Sequence, residues 1–348
     1  MFYTMILFVG QSIAQDDPNI DNTMHLSPPA STPSNSPLGR QIITSSDGFD
    51  NYYLGIDFAE PHMSANPNNP TEYFNAFNTN VTHYSQNGVD WFAQNPIFGA
   101  NMQGDPVTAY DSLGNLYYEN MFGAASIEGC KVIVSTDNGA TWSSSVTAIS
   151  GNDKNWIAAD QTSGPYSNYV YSTMTNNGVG SFTRSTDFGV TWQNTFNPSP
   201  QNLPGMMVAV GPNRIGTDIS GGVVYVVTNS GSSFSAVYTF YASTNGGLTF
   251  TQKSAQIFAN YVGTNVGGRN SVENMRTRPY PFITADNSYG TYRGRLYLVY
   301  ASNTPVGNGN KPDIFCRYST DQAVTWSPAV RINDDANTTA NHQWMPAT

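Results

Sequence analysis

The sequence predicts an all-β chain of small four-stranded sheets, one for roughly every fifty residues. Three observations predict it. The first is composition: charged residues make up 11% of the 348 positions, while Gly (31), Pro (21), Tyr (21) and Phe (18) are abundant. That suits many short strands joined by turns. The second is a recurring octet. "STDNGATW" starts at Ser135 and "STDFGVTW" at Ser185, with looser copies "YSQNGVDW" from Tyr84, "STNGGLTF" from Ser243 and "STDQAVTW" from Ser319. Successive starts differ by 51, 50, 58 and 76 residues, room for four strands of about five or six residues plus turns. The third is that strands between octets are apolar on both faces. In "GRLYLVYAS", Leu296, Leu298 and Tyr300 alternate with Tyr297 and Val299. A sheet wet on one face alternates apolar with polar. Sheets stacked face to face around an axis do not, and that arrangement is a β-propeller.

From the N-terminus, "MFYTMILFVGQSIAQDD" carries an apolar run, Met5 to Val9, followed by small and polar residues. It predicts a signal peptide over 1–15, hence a secreted or cell-surface protein; the missing basic region puts the true start upstream. Residues 16–39 are rich in Pro, Ser and Asn and predict a flexible linker. The propeller then runs over 40–348. Its five repeats open with "HMSANP" at His62, "PVTAYD" at Pro106, "WIAADQ" at Trp156, "MMVAVG" at Met206 and "PFITAD" at Pro281. Second strands follow as "YFNAFN", "NLYYENM", "NYVYSTM", "GVVYVVTN" and "RLYLVYA". A third strand leads into each octet, and a fourth is expected to start at the octet's Trp or Phe. The last residues, "HQWMPAT", predict the opening strand of a sixth repeat. The frame is therefore expected to continue, with a C-terminal sorting or attachment domain as one content of the remainder. No other run is long enough to cross a membrane.

Every octet residue has a structural task. Asp137 can accept backbone hydrogen bonds across the turn. Gly139 permits a positive φ. Trp142 offers a large apolar surface to wedge between neighbouring sheets. Asp187, Gly189 and Trp192 repeat the set, as do Asp321 and Trp326. Gln86 and Asn245 stand for the Asp, Phe250 for the Trp, and Ala323 for the Gly, where a positive φ costs about 1–2 kcal/mol.

Net charge is -10 with only 14 Lys plus Arg, which excludes a nucleic-acid partner of ordinary type. Cys130 and Cys316 fall in different repeats and predict no disulfide. No Cys/His spacing of metal type occurs, and "RINDDAN", Arg331 to Asn337, lacks an EF-hand pattern, so no metal or cofactor is expected.

The octets resemble the Asp-box, or BNR, repeat S-x-D-x-G-x-T-W. From Asp57 to Thr348 the chain resembles secreted sialidase-like propellers of bacteria. The resemblance implies six blades, with seven as the alternative. It puts the Asp boxes on the hairpins joining third and fourth strands. The ligand face is then the opposite one, built from loops leading into first strands and loops between second and third. A glycan or glycoprotein is the implied partner. In the enzymes of the family three arginines grip the carboxylate of a terminal sialic acid, an Asp is acid/base, and a Tyr activated by a Glu is the nucleophile. Arginine forks suit a carboxylate. The family's Arg-Ile-Pro motif is not in this sequence, and no arginine lies between Arg40 and Arg184.

Candidate residues follow. Arg276, Arg278 and Tyr280, in "ENMRTRPYPF", lead into the fifth repeat and are candidate ligand contacts, with Arg269 in the same loop. Asp105 in "QGDPV" and Asp153 in "GNDKNW" precede first strands. With Glu273 they are the candidate catalytic carboxylates, loop capping being the structural alternative. Glu128 and Asp313 flank third strands at the same rim. Arg293 and Arg295 fall on the octet face and are set aside. Tyr280 and Trp344 are candidate platforms for sugar rings. Three functions compete: a sialidase-type exo-hydrolase, which needs cations converging on the mouth; a noncatalytic surface module binding a glycan or protein; and a purely structural module of a longer surface protein.

Overall fold

The structure, a computed structural model, describes residues 42–44, 50–52, 54, 60–213, 219–272, 275–304, 312–335 and 341–346. The expected signal peptide, the expected linker and Glu273 lie outside them. Among the described residues every regular element is a strand. Five antiparallel four-stranded sheets follow one another, each a meander in sequence order. Sheet one is His62–Asn66, Asn69–Phe77, Val81–Ser85 and Trp91–Gln94. Sheet two is Met102–Tyr110, Leu116–Phe122, Gly129–Ser135 and Val146–Ser150. Sheet three is Asp153–Ala159, Val170–Asn176, Val179–Ser185 and Gln193–Phe196. Sheet four is Met207–Asn213, Ile219–Ser232, Ser235–Ser243 and Thr251–Gln256. Sheet five is Phe282–Ala285, Leu296–Ser302, Asp313–Ser319 and Val330–Arg331.

The first strands of successive sheets run side by side, and all five line one axial cavity of 330 Å³. This is the radial stacking expected of a propeller. Apolar contacts fill the spaces between sheets: Phe74 of sheet one with Leu116, Tyr118 and Ile133 of sheet two, and Tyr238 and Phe240 of sheet four with Leu296, Leu298 and Tyr300 of sheet five. The extra length before the last octet holds a three-stranded sheet that the repeat pattern concealed: Thr264–Val266, Arg269–Val272 and Met275–Arg276. A two-stranded sheet, Ile42–Thr44 with Asp50–Tyr52, precedes sheet one.

Second strands of sheets two to five are buried on both faces, as their sequences predict, while that of sheet one is buried only toward its end; in sheet two one face carries an acid. Glu119 is fully buried between sheets two and three, accepting from Asn155 Nδ2 (3.0 Å) and sharing a hydrogen bond with Ser172 Oγ (2.5 Å). Burial raises its carboxyl from 4.5 to about 8, against the lowering effect of those two bonds. The folded protein therefore holds a proton that the unfolded chain releases. The associated stability is complete below 4.5 and is lost as pH rises through about 8. Glu119→Gln should flatten this dependence, leaving the variant more stable than the parent at about pH 9 by on the order of 4 kcal/mol. Urea unfolding at about pH 5 and pH 9 checks it.

Each octet forms the hairpin between third and fourth strands. Ser135 Oγ donates to Asp137 Oδ1 (2.7 Å) and accepts from the Gly139 N–H (2.8 Å). Asp137 accepts from the N–H and hydroxyl of Thr141 (2.8 and 2.6 Å). Ser185, Asp187 and Thr191 repeat these bonds, as do Ser319, Asp321 and Thr325. Asn245 accepts from Ser243 and Thr249 in the same way. Partial burial alone would push Asp137, Asp187 and Asp321 up; the bonds from Thr and Ser outweigh it and hold each carboxyl below its ordinary value. The fifth octet position is left-handed at Gly139, Gly189 and Gly247, and also at Ala323 (φ 67°). That alanine therefore bears strain of order 1–2 kcal/mol.

The octet aromatics wedge onto the preceding sheet. Trp142 meets Phe74 at 5.3 Å and donates Nε1–H to Gln94 Oε1 at 2.8 Å. Trp192 packs against the apolar cluster that contains Tyr117 and Val132 of sheet two. Phe250 meets Phe182 and Phe196 of sheet three at 4.8 and 4.6 Å, and Trp326 meets Phe240 of sheet four at 4.5 Å.

Three expectations are corrected. In the first octet Gln86 does not stand for the Asp: it is exposed, and Asn87 Oδ1 accepts from the N–H groups of Val89 (3.0 Å) and Asp90 (2.8 Å). The third strand there ends at Ser85, as its counterpart ends at Ser135, so the loop to Trp91 is one residue shorter and the register slides. Fourth strands begin at or just after the octet aromatic in sheets one, three and four, but at Val146 and Val330 in sheets two and five. There Ser143 and Ser327 bond to Val134 and Tyr318 and the chain then bulges out before pairing. Finally, residues 341–346 form no strand. Their bonds go instead to neighbouring loops, Gln343 N–H to Pro312 O and Asn341 Nδ2 to Asp335.

Candidate functional site

First strands run from one end of the sheets toward the octets: Tyr110, finishing its strand, donates its hydroxyl to Asn138 of an octet. The opposite end is a mouth where lead-ins to first strands from several sheets meet. Three of them carry a charged residue at positive φ: Glu60 (62°), Asp105 (50°) and Lys154 (42°). Such conformations cost about 1–3 kcal/mol each and gather at functional sites.

Local sequence explains two of them. Sheet two's first strand loses its regular register between Met102 and Val107. Gly104 there packs so closely that a Cβ would lie 1.8 Å from Asn78 Oδ1, and the same amide oxygen accepts from the Asp105 N–H at 3.0 Å. In sheet three a bulge between Asp153 and Asn155 releases Lys154 from the ladder. These kinks bring Lys154 Nζ to 3.5 Å from Asp105 Oδ2. Asp105 is 3% exposed, and that oxygen accepts no hydrogen bond.

The other side of the mouth comes from the lead-in to sheet five. Lys154 Nζ stands 6.0 Å from the Tyr280 ring centroid. Asp153 is raised to about 6, first by burial and then by Asp105, with Lys154, Arg278 and Arg276 opposing. Burial alone would lower Lys154; Asp105, Glu60, Tyr280 and Asp153 together hold it above the ordinary lysine range. Burial pushes the Tyr280 phenol up although Lys154, Arg278 and Arg276 pull it down. Arg278 also donates to Ser233 Oγ at 3.2 Å, at the tip of the hairpin between sheet four's second and third strands. Trp156, two residues beyond Lys154, meets His62 at 5.2 Å and Phe282 at 6.0 Å across the axis. Burial, and then Lys154, lower His62 to about 4, so the mouth's inner neighbour is a neutral imidazole.

The structure therefore brings together Asp105, Asp153, Arg276, Arg278 and Tyr280 from the sequence candidates. Tyr280 is no open stacking platform: it packs against Gly205, where a Cβ would lie 2.5 Å from its ring. Glu60 and Lys154 were not legible as site residues. The signal for Lys154 is only its place next to Asp153 in a polar lead-in. The remaining candidates have local partners. Glu128 accepts from the Ala124 N–H, and Asp313 pairs with Arg331 at 3.0 Å. Arg269 opens the middle strand of the three-stranded sheet, and Trp344 is half-buried. Arg293 stacks on Tyr289, and Arg295 on Tyr292 and Tyr318.

No protein-family model matches the chain, and no curated protein matches it. Among solved structures the chain is similar to a Hadza microbial sialidase, with 13% identity and a TM-score of 0.49 over 79% of this chain and 58% of that one. It is similar to Trypanosoma rangeli sialidase in complex with sialic acid, with 12% identity and a TM-score of 0.43 over 84% and 51%. It is also similar to NanB sialidase from Streptococcus pneumoniae, with 10% identity and a TM-score of 0.46 over 78% and 60%. The chain thus spans less than two thirds of the length of each. No helix among the described residues is long and apolar enough to cross a membrane.

Proposed function

We propose that the chain is part of a secreted or cell-surface Asp-box propeller, six-bladed by resemblance to sialidases, whose mouth binds an anionic sugar of a glycan or glycoprotein. The observation that carries this reading is the convergence of Glu60, Asp105 and Lys154, each at a strained backbone position, with Arg276, Arg278 and Tyr280. Lys154, Arg276 and Arg278 supply the positive charge that a sugar carboxylate needs. Lys154 is the third cation at the mouth, from a stretch of chain that carries no arginine. The buried Asp105 carboxylate, 3.5 Å from Lys154 Nζ, holds that ammonium at the mouth.

Hydrolysis is the second reading, and Asp153 favours it. A carboxyl raised to about 6 keeps its proton into mildly acidic solution and suits a general acid there. Against it, the Tyr280 phenol is pushed up, away from the anionic form a nucleophile uses.

The test is release of the fluorophore from a sialic acid aryl glycoside, beside calorimetric titration with N-acetylneuraminic acid. Binding without turnover selects the noncatalytic module. Turnover that falls at least a hundredfold in Asp153→Asn selects the hydrolase. Neither binding nor turnover overturns the reading.

A further inference from the structure

Sheet four's last strand ends at Gln256, and the chain then makes a short loop before the three-stranded sheet. Ala259 and Val262 in this loop are fully buried, whereas Tyr261 between them is 36% exposed. Tyr261 has φ 36°, a conformation that a bulky side chain rarely adopts. The loop is nevertheless held firmly from sheet five. Ser302 Oγ accepts from the Asn260 N–H (3.0 Å), and the Asn303 N–H donates to Tyr261 O (2.9 Å). The Asn303 side chain bonds Gly263 twice, accepting from its N–H (2.9 Å) and donating to its carbonyl (2.7 Å). Two buried apolar anchors and these bonds thus fix one strained, solvent-facing phenol ring. Strain of this kind persists where the surroundings over-determine it, and it concentrates at ligand clamps.

The ring does not stand alone. Phe234 lies 4.9 Å away with the planes at 33°. Phe234 sits at the tip of sheet four's second hairpin, next to Ser233. Ser233 Oγ accepts from Arg278 Nη1 at 3.2 Å, and Asn270 Nδ2 donates to Ser233 O. The pair is therefore tied to the charged mouth through one hydrogen-bonded residue. An amphipathic ring fixed in advance offers contact area with little loss of side-chain freedom on binding.

We propose that Tyr261, backed by Phe234, is a platform for the sugar ring that follows the anionic sugar, so that the protein reads a glycan chain and not a single acid. This rests on the carbohydrate reading of the mouth. The pyranose face is apolar and its hydroxyls point outward, which matches a partly exposed phenol stacked on Phe234, whose neighbour Ser233 is bonded to Arg278.

The test uses the full chain and two probes, N-acetylneuraminic acid and 3′-sialyllactose, titrated against the parent, Tyr261→Gly and Tyr261→Phe. Glycine takes a φ of 36° without strain, so it removes the ring and keeps the loop; an unchanged unfolding temperature verifies this. The trisaccharide should bind the parent about three- to tenfold more tightly than the monosaccharide. That ratio should fall to about one in Tyr261→Gly and persist in Tyr261→Phe, with monosaccharide affinity constant throughout. Monosaccharide binding with no trisaccharide advantage, or an advantage that survives Tyr261→Gly, overturns the platform and leaves the mouth reading intact. Binding of neither probe overturns both. A loss in Tyr261→Gly confined to intact sialoglycoprotein, with free trisaccharide unaffected, overturns the sugar platform in favour of a peptide contact.

Discussion

Lys154→Met should cost about 3–5 kcal/mol of unfolding free energy at neutral pH, the largest effect expected in the mouth. Asp105 is 3% exposed, and Lys154 Nζ at 3.5 Å is the charge that faces its unbonded oxygen. Removing the ammonium strands a buried carboxylate, a heavier penalty than losing the pair itself. Asp105→Asn in the same chain should therefore return most of the stability. Urea midpoints of the parent, both single variants and the double variant measure this. Equal losses for Lys154→Met with and without Asp105→Asn would mean that the two groups do not act as a pair.

Trp142→Ala should lower the unfolding free energy by about 3 kcal/mol. The indole fills the contact between sheets one and two, against Phe74 at 5.3 Å and Tyr118 at 5.9 Å, and its loss leaves Gln94 Oε1 without its donor. Val190→Ala is the control, because that octet side chain is 65% exposed; its effect should stay within about 0.5 kcal/mol. A Trp142→Ala loss no larger than the control's would show that the indole is not a wedge. The same comparison in sheet four, with Phe250→Ala, should give a similar loss, since that ring lies within 5 Å of two others on sheet three.

Much of the scaffold was legible because its determinants are local. An octet closes its own loop through bonds that span four residues, so its letters survive from copy to copy and mark every hairpin. Second strands of sheets two to five were legible because burial on both faces forces continuous apolar runs. What escaped was whatever depends on small irregularities. The part of the octet serine, which donates to the Asp and accepts from the N–H at the fifth position, was overlooked because a serine has no single habit. Gln86 was misaligned because a one-residue shortening is invisible until the strand end at Ser85 is known. The three-stranded sheet hid inside one long interval between octets.

The mouth was half legible for the same reason. Arg276, Arg278, Asp105 and Asp153 could be placed from their positions ahead of first strands, because a meander fixes which end each loop occupies. Lys154 and Glu60 could not. A bulge and a positive φ decide that Lys154 meets Asp105 and Tyr280, a positive φ sets Glu60, and neither feature leaves a mark in the residue letters. Tyr261 is the extreme case. Its alternation between buried Ala259 and Val262 resembles an ordinary strand edge, and only the left-handed backbone sets it apart.

The most direct measurement is a crystal of the full chain soaked with N-acetylneuraminic acid. The account predicts the sugar at the mouth, its carboxylate within about 3 Å of Lys154, Arg276 or Arg278. The sugar in the axial cavity beyond Trp156, or on the octet face beside Arg293 and Arg295, with the mouth empty, would contradict it.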